Sequence, residues 1–285
     1  MITIDFTGKN VLITGGTSGI GKATALYFAR AGAQTWLTYK WGSADFDAVR
    51  DEFASSGAVA PHFVQADVSV DDDTDALLAH IASHAKAIDV FVSNVGFSAA
   101  APDIQSYRKR SFFRTLEYSS WPLIEYTRKI HERFGSYPEY IVGVSSDGPD
   151  HFYPGYDFVA ASKALLELFG RYLSMHLLEE QSRVNIVRFG TVPTDSFNSI
   201  FGEDFFEYAK REEGLTDNLI LTPDTCGSTI FALCSGLMNA VNGQIIHADY
   251  GLPLRDNTMM RYMRSRDRPR ERPDNADTSK SDTSK

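Results

Sequence analysis

The chain has 285 residues, 43% of them hydrophobic, and a formal net charge of −9. This length and composition predict a domain with a sizeable core, and the acidic balance disfavours a nucleic-acid-binding protein. The two cysteines, Cys226 and Cys234, exclude a disulfide scaffold and are interpreted as core thiols in a reducing compartment. The N-terminus lacks the pattern of a signal peptide or membrane span, so we expect a cytoplasmic protein without membrane partners.

A strand, a glycine-rich turn and a helix are predicted near the N-terminus. Residues 10–14 form a short apolar run typical of a buried strand, residues 14–21 read Thr-Gly-Gly-Thr-Ser-Gly-Ile-Gly, and residues 22–31 form a helical run. Glycines let backbone N–H groups approach a pyrophosphate, and the helix N-terminus adds a favourable dipole. The pattern predicts a dinucleotide site, with a flexible surface turn as the alternative. The predicted binding residues are Gly15, Thr17, Ser18, Gly19, Ile20 and Gly21.

The turn pattern Thr-Gly-x-x-x-Gly-Ile-Gly resembles that of the short-chain dehydrogenase/reductase family, and further matches follow in the family's order over roughly residues 7–252. The resemblance implies an α/β fold of the doubly wound, Rossmann-type class, in which helices cover both faces of a parallel seven-stranded sheet. It also implies a homotetramer or homodimer. We assign residues 1–254 to this single domain, with a lid at about 195–215.

The composition changes after Leu254. Residues 255–272 carry many arginines, and residues 274–285 repeat Asp-Thr-Ser-Lys motifs. With few apolar residues to bury, the tail 255–285 is predicted to be polar and disordered beyond about Met263. Contact of its basic stretch with an acidic carrier protein is the alternative to a solvated tail.

The end of the second predicted strand, residues 34–39, bears on the choice of cofactor. An acidic side chain there would bond the ribose hydroxyls of NAD and repel a 2′-phosphate, but the chain has Thr38, Tyr39 and Lys40. We therefore predict NADPH, with Tyr39 and Lys40 among its binding residues. Ser18 stands where many NADPH users carry a positive charge, which keeps NADH open, and Lys40 has the alternative of a solvated loop position.

Two further strands are predicted to end at the cofactor site. Residues 62–65 lead to Asp67-Val68, which the resemblance places in the adenine pocket, although Asp67 has the alternative of capping the next helix. Residues 88–93 lead to Asn94-Val95-Gly96, which resembles the family's Asn-Asn-Ala-Gly turn. The cofactor-binding residues expected here are Asp67, Val68, Asn94, Val95 and Gly96.

The sixth predicted strand, residues 183–189, precedes a loop that resembles the family segment holding the nicotinamide amide and pyrophosphate. In this loop we expect Gly190, Val192 and Thr194 to bind the cofactor. Aromatic residues follow, and they predict a lid over an acyl substrate or, alternatively, a helix that packs its apolar face on the body. The aromatic residues are Phe197, Phe201, Phe205, Phe206 and Tyr208.

The catalytic pattern departs from that of ordinary family members. In those, a serine precedes the tyrosine by about thirteen residues, and the tyrosine precedes the lysine by four. Ser146 and Lys163 keep the outer spacing, but the position between them is Val159, which has no proton to give. The family's catalytic asparagine falls near Ser119, so a water relay that needs it is in doubt.

Tyr156 supplies an alternative phenol three residues upstream. Pro154-Gly155 marks a turn before it, and residues 159–178 have helical spacing, so Lys163 lies about two turns, or roughly 10.5 Å, along the helix. A tyrosine and a lysine separated by six residues is the arrangement of enoyl reductases in this superfamily. The chain therefore resembles enoyl-acyl carrier protein reductases that retain the common glycine turn, and cyclohexenylcarbonyl-CoA reductase.

The resemblance implies NADPH-dependent reduction of the C=C bond of an α,β-unsaturated acyl thioester, carried by an acyl carrier protein or CoA, in fatty-acid or polyketide metabolism. Tyr156 would donate to the forming enolate, Lys163 would bond the nicotinamide ribose, and Ser146 would assist substrate binding. The alternatives are a ketoreductase of 3-oxoacyl substrates and an inactive NADPH-binding relative. No cluster of residues has metal-site spacing.

Overall fold

The computed structural model describes residues 3–42 and 44–254. Among these residues, seven strands form one parallel sheet in the order β3-β2-β1-β4-β5-β6-β7. The order reverses between β1 and β4, and ligands bind such sheets in the crevice at the carboxyl ends of the strands beside this reversal. The strands are β1 (Asn10–Ile13), β2 (Gln34–Tyr39), β3 (His62–Gln65), β4 (Val90–Ser93), β5 (Tyr140–Ser146), β6 (Arg183–Phe189) and β7 (Ile245–Ala248).

Helices cover both faces of the sheet, which confirms the doubly wound fold. Val11 and Ile13 of β1 pack in one core cluster with α1, α2 and α9, whereas Leu12 packs in a second cluster with α3, α5 and α6. Because successive strand residues face opposite sides, a strand buried on both faces is a continuous apolar run. The α-helices are α1 (Gly19–Arg30), α2 (Phe46–Ser55), α3 (Asp71–Ala82), α4 (Lys109–Ser119), α5 (Trp121–Phe134), α6 (Asp157–His176), α7 (Asp195–Phe201), α8 (Phe205–Glu213) and α9 (Pro223–Leu233).

The helical stretch before β5 is divided into two helices at the Trp121-Pro122 pair. A proline in a helix interior would kink the helix, but here α4 ends at Ser119 and α5 begins at Trp121. Pro122 lies in the first turn of α5, where its missing N–H removes no helical hydrogen bond. The Ser120 hydroxyl at the break donates to the Ser162 carbonyl of α6 at 2.7 Å, so the break is tied to the helix that carries Lys163.

Residues 1–250 form one compact unit. A second unit, residues 251–285, is described only at 251–254, where Leu252–Leu254 forms a short 3₁₀ helix. The predicted disorder of the tail lies outside the described residues. Both cysteines are free and buried. None of the helices described here has both the length and the apolar character that crossing a membrane requires.

Candidate active site

The glycine turn between β1 and α1 has the backbone shape that close approach to a ligand requires. Gly15 and Gly19 have φ values of 63° and 53°, in the left-handed region that favours glycine. A Cβ on Gly21 would lie 2.3 Å from the Gly15 carbonyl oxygen. Ser18 precedes α1 without a side-chain hydrogen bond to the helix end, so the first N–H groups of α1 remain available to an anion. The turn therefore fits the pyrophosphate of a dinucleotide.

Replacing Gly21 with alanine is expected to weaken dinucleotide binding by at least about 100-fold, because the new methyl group would force the turn away from its binding shape. Titration of NADPH fluorescence measures this loss directly. Gly57→Ala is a control glycine substitution outside the turn, since a Cβ there meets no atom within 4 Å, although its φ of 69° predicts a small loss of stability. Unchanged affinity in Gly21→Ala would show that the turn does not hold the cofactor.

Asn94, predicted to bind the cofactor, holds the glycine turn in place. Its amide nitrogen Nδ2 donates to the carbonyl oxygens of Thr14 and Gly15 at 3.0 and 3.1 Å. Its backbone N–H donates to the Thr14 hydroxyl at 3.0 Å. The end of β4 is thereby fastened to the turn after β1. Gly96 lies beside Lys163, since a Cβ on Gly96 would be 3.7 Å from Lys163 Nζ.

The loop after β6 faces the glycine turn. A Cβ on Gly19 would lie 3.5 Å from Thr194 Cγ2, so two of the predicted cofactor-binding segments meet. The Thr194 hydroxyl accepts from the Phe197 N–H at 3.2 Å and caps α7. The Val192 side chain is buried in the core and Gly190 packs on Asp249, so these two residues can offer a ligand only backbone groups.

Lys40 is bound within the protein. Its Nζ lies 2.5 Å from Asp67 Oδ2 and contacts the hydroxyl of Tyr118, which donates to the same carboxylate oxygen at 2.9 Å. Burial alone would raise the pKa of Asp67, but hydrogen bonds from Lys40, Ser69 and Tyr118 outweigh it and lower the pKa. Asp67 does not cap α3, whose N-cap is Val70, so that alternative is wrong.

The other predicted residues near the adenosine end pack against side chains of the protein itself, Val68 buried and Tyr39 partly buried. Val68 is buried in the core cluster that contains α3 and α5. The Tyr39 ring packs on Phe46, with 4.7 Å between centroids. Tyr118 was not predicted, because nothing in the pattern of α4 relates it to an aspartate 51 residues earlier.

Tyr156 lies at the junction of the loop after β5 and helix α6, as its position after Pro154-Gly155 predicted. Its hydroxyl donates to Ser146 Oγ, at the end of β5, at 3.2 Å. Burial raises the pKa of the phenol, against the effect of the Ser146 hydrogen bond, so Tyr156 is protonated at neutral pH. The structure therefore brings two of the three predicted catalytic residues into contact.

Lys163 lies two turns further along α6 and is 7% exposed. Its Nζ donates to the Val144 carbonyl of β5 at 2.8 Å. Burial lowers the pKa of this ammonium from 10.5 to about 8, with Glu167 acting in the opposite direction. Val159, one turn before it, is buried at 5% exposure and offers no group for proton transfer.

The depressed pKa of Lys163 predicts a pH-dependent activity. The ammonium is charged below about pH 8 and loses its proton above it, so kcat/KM for NADPH is expected to fall as pH rises through about 8. A pH profile between 6 and 10 measures this, with circular dichroism at each pH to exclude unfolding. A profile that stays flat up to pH 10 would show that the Lys163 charge is not required.

Ser119 occupies the region where the family asparagine was expected, and its side chain serves the backbone. Its hydroxyl accepts from the Phe97 N–H at 3.0 Å and lies 3.4 Å from the Phe97 carbonyl oxygen. Phe97 directly follows the turn that begins at Asn94, so Ser119 anchors that turn to the end of α4. Ser119 thus has a structural role here.

The aromatic segment predicted as a lid forms α7, α8 and the turn between them. Phe197 is the centre of the cluster, with ring centroids 4.8 Å from Phe201 and 5.2 Å from both Phe205 and Phe206. Phe201 also lies 5.6 Å from the ring of Tyr156. No residue of α7 is fully buried, but Phe201 packs on the rings of Tyr153 and Tyr156, so the apolar side of this helix contacts the body. The lid position and the packed helix are therefore compatible, and the cluster contacts the predicted catalytic phenol.

A cavity of about 660 Å³ lies beside Tyr156, between the first turns of α4 and α6 and the loop before α6. Its volume is within the range of small-molecule sites. Neither the glycine turn nor the α7–α8 segment lines it. The lining residues are Tyr107, Arg108, Lys109, Phe112, His151, Phe152, Tyr153, Tyr156, Asp157, Phe158, Ala160 and Ala161.

A buried charged network behind Lys163 was missed in the sequence. Arg188 of β6 and Glu167 of α6 form an ion pair and are 6% and 5% exposed. The Ser145 hydroxyl donates to Glu167, and Arg188 also contacts Asp150 in the loop before Tyr156. The available signal was an arginine between Val187 and Phe189 inside a predicted strand, since a charged residue buried there needs a partner. Residues 3–42 and 44–254 contain no group of three or more His, Cys, Asp or Glu residues placed to hold a metal ion.

Comparisons with known proteins identify the family of this chain. The family described as enoyl-(acyl carrier protein) reductase matches residues 15–253. The chain belongs to this family. It is an oxidoreductase of the short-chain dehydrogenase/reductase type, which confirms the resemblance drawn from the glycine turn and the strand endings.

Relatives within the short-chain dehydrogenases/reductases differ in the activities and nucleotides that their names give. The NADH enoyl-[acyl-carrier-protein] reductase FabI of Aquifex aeolicus is 26% identical over 250 residues, 86% of this chain and 91% of its own. A glucose and ribitol dehydrogenase homologue of Oryza sativa is also 26% identical, over 86% of this chain and 85% of its own. The structure of a short chain dehydrogenase from Burkholderia cenocepacia with NADP has a TM-score of 0.75 and 24% identity, over 87% of this chain and 99% of its own.

Proposed function

We propose that this enzyme reduces the C=C bond of an α,β-unsaturated acyl thioester with NADPH. The observation that carries the proposal is the position of the Tyr156 hydroxyl, 3.2 Å from Ser146 at the end of β5, on the helix that buries Lys163. Val159 at the ordinary tyrosine position has no acidic proton. Tyr156, which is separated from Lys163 by six residues, therefore supplies the phenol for this site.

The residues present fit a nicotinamide dinucleotide. The glycine turn and the free N–H groups of α1 would hold the pyrophosphate, and the loop after β6 would meet it from the opposite side. When bound, the reduced nicotinamide supplies a hydride to the β-carbon of the substrate. The end of β2 carries no carboxylate, and Lys40 there neutralises Asp67, which supports NADPH over NADH.

Tyr156 would act on the thioester oxygen. Negative charge develops there as the C=C bond is reduced, and a protonated phenol can donate a hydrogen bond to it. A preorganised donor of this type typically contributes about 2.7–4 kcal/mol to the transition state. The raised pKa of Tyr156 keeps the proton on the phenol at neutral pH, as this role requires.

Lys163 would hold the ribose of the nicotinamide nucleotide and provide the positive charge of the site. Its Nζ already donates to the Val144 carbonyl, which leaves two of its three protons for a ligand. A positive charge near Tyr156 also stabilises negative charge that develops beside the phenol.

The cavity that borders Tyr156 supports an apolar acyl group as the substrate. Its six phenylalanine and tyrosine side chains would contact hydrocarbon. Arg108 and Lys109 also line the cavity, where they would favour an anionic carrier. We propose an acyl carrier protein or CoA as that carrier. The aromatic cluster of α7 and α8 would close over the site through Phe201.

A ketoreductase is the second candidate function. The Ser146–Tyr156 hydrogen bond is a serine–phenol pair that could equally donate to the oxygen of a substrate ketone. The similarity to a glucose and ribitol dehydrogenase homologue supports this candidate as well. The two reactions share the cofactor and differ in which bond accepts the hydride.

NADPH oxidation with matched thioesters separates these functions. Crotonoyl-CoA and a longer trans-2-enoyl-CoA are compared with acetoacetyl-CoA, each also as the acyl carrier protein thioester and each with NADPH or NADH. We expect turnover of the enoyl substrates and a preference for NADPH. Turnover of acetoacetyl-CoA alone would establish the ketoreductase, and NADPH binding without oxidation by any substrate would establish an inactive relative.

A further inference from the structure

Arg188 of β6 contacts two different elements through the two edges of its guanidinium. Nε and Nη2 donate to the two carboxylate oxygens of Glu167 at 2.5 and 2.6 Å. Nη1 donates to Asp150 Oδ2. Ser145, which pairs with Arg188 in the sheet register, donates to Glu167 at 2.7 Å. The guanidinium is thus satisfied by one buried carboxylate and one at the surface.

The two carboxylates belong to the elements that carry the reacting side chains. Glu167 lies one turn after Lys163 on α6. Asp150 lies in the loop 147–156 that leads to Tyr156. Within this loop, the Asp150 N–H donates to the Asp147 carbonyl at 3.0 Å, and the Tyr153 hydroxyl donates to the Asp147 carboxylate at 2.7 Å.

The loop is also hydrogen-bonded to the residue that carries the phenol. The Tyr156 N–H donates to the Tyr153 carbonyl at 3.0 Å. An unbroken series of hydrogen bonds therefore runs from Arg188 through Asp150, Asp147 and Tyr153 to Tyr156. Displacement of the loop from the guanidinium would move the phenol relative to the lysine on α6.

We propose that Arg188 is a positioning residue, which holds loop 147–156 so that Tyr156 stands at a fixed distance from Lys163. A planar guanidinium suits this task because its donors form a rigid fork, whereas the ammonium of a lysine carries three rotatable donors on a flexible stem. Errors of about 1 Å in the position of a reacting group can reduce a rate 100-fold. The proposal rests on the proposed function only in taking Tyr156 and Lys163 as the reacting pair.

The two arms of the network have different consequences for stability. The Glu167 arm is buried, so its loss would affect folding as well as geometry. The Asp150 carboxylate is 59% exposed. Because Arg188 keeps both hydrogen bonds to Glu167 when Asp150 is removed, the guanidinium retains a partner charge and the loss of global stability is expected to be small. Removal of the Asp150 arm therefore isolates the effect on the loop.

The test compares Asp150→Ala with Asp51→Ala, which removes an exposed carboxylate from α2. Hydrogen exchange followed by mass spectrometry reports on residues 147–156, and steady-state kinetics with the preferred thioester reports on turnover. In Asp150→Ala we expect about tenfold faster exchange in this loop and a 10- to 100-fold lower kcat, with KM for NADPH within twofold. The melting temperature should change by less than about 2 °C. Asp51→Ala should match the wild type, and Asp150→Glu should restore part of kcat.

Unchanged exchange in the loop of Asp150→Ala would overturn the proposal, as would faster exchange with kcat retained. Equal losses in Asp150→Ala and Asp51→Ala would also overturn it. If the wild-type enzyme oxidised NADPH with none of the thioesters, the proposed function would fail on its own. The exchange result would still decide whether Arg188 holds the loop.

Discussion

Replacing Tyr156 with phenylalanine is expected to reduce kcat for an enoyl thioester by about 10²- to 10³-fold. The substitution removes only the hydroxyl that donates to Ser146, so the ring keeps its contact with Phe201. The transition state then loses the donor to its developing enolate oxygen, whereas the nucleotide keeps the glycine turn and Lys163. Steady-state kinetics and NADPH fluorescence titration measure the two effects separately.

Tyr172→Phe is the matched control, since it removes a hydroxyl from an exposed tyrosine of the same helix. Its kcat should equal that of the wild type. Loss of NADPH affinity in Tyr156→Phe would mean that the phenol serves cofactor binding. Full turnover in Tyr156→Phe would remove the residue from the mechanism and leave a dinucleotide-binding fold without an assigned acid.

Replacing Arg188 with leucine is expected to destabilise the folded state by about 3–5 kcal/mol, because Glu167 then remains buried without its partner. Hydrogen bonds to Glu167 and Asp150 raise the pKa of the Arg188 guanidinium, which therefore stays charged at every pH at which the protein folds. Urea unfolding followed by circular dichroism measures the change in the free energy of unfolding.

The double variant Arg188→Leu/Glu167→Leu should recover most of that loss, since two packed apolar side chains need no partner charge. Its turnover should remain low, because Asp150 has lost its contact with β6 and loop 147–156 is no longer held. A loss below about 1 kcal/mol in Arg188→Leu would show that the pair contributes no more than a surface ion pair. Equal instability of the single and double variants would instead indicate a packing defect at position 188.

The sheet was predictable because its strands contain short apolar segments, such as Trp36-Leu37 in β2 and Phe63-Val64 in β3. The ranges of β2, β3 and β6 agree with the prediction residue for residue. The position of Tyr156 at the start of α6 followed from Gly155, whose φ of 80° is favourable for glycine and marks the turn. Local backbone preferences and apolar periodicity were sufficient for these features.

Contacts between distant side chains could not be predicted in this way. Tyr118 and Asp67 are 51 residues apart, and their hydrogen bond depends on the end of α4 lying beside the residues that follow β3. Arg188 meets Glu167 and Asp150 only because β6 lies beside β5 in the sheet. Such pairs depend on strand order and helix placement, which no local pattern of residues contains.

The role of Ser119 could not be predicted for the same reason. The sequence showed that the expected asparagine was absent, but it did not show what replaced its contacts. In the structure, the Ser119 hydroxyl holds the backbone of Phe97. In this chain the serine at the position thus holds the backbone of the turn after β4.

The burial of Val159 has a consequence for redesign. Its side chain is 5% exposed, and its carbonyl oxygen accepts from Ser162 at 2.7 Å, so the surroundings are already filled. A phenol introduced at this position would be overpacked, at a cost of about 1–3 kcal/mol, before it could reach the nicotinamide. Moving the phenol from position 156 to position 159, four residues before the lysine, therefore demands coordinated changes at several positions. A library that varies one site at a time would not find them.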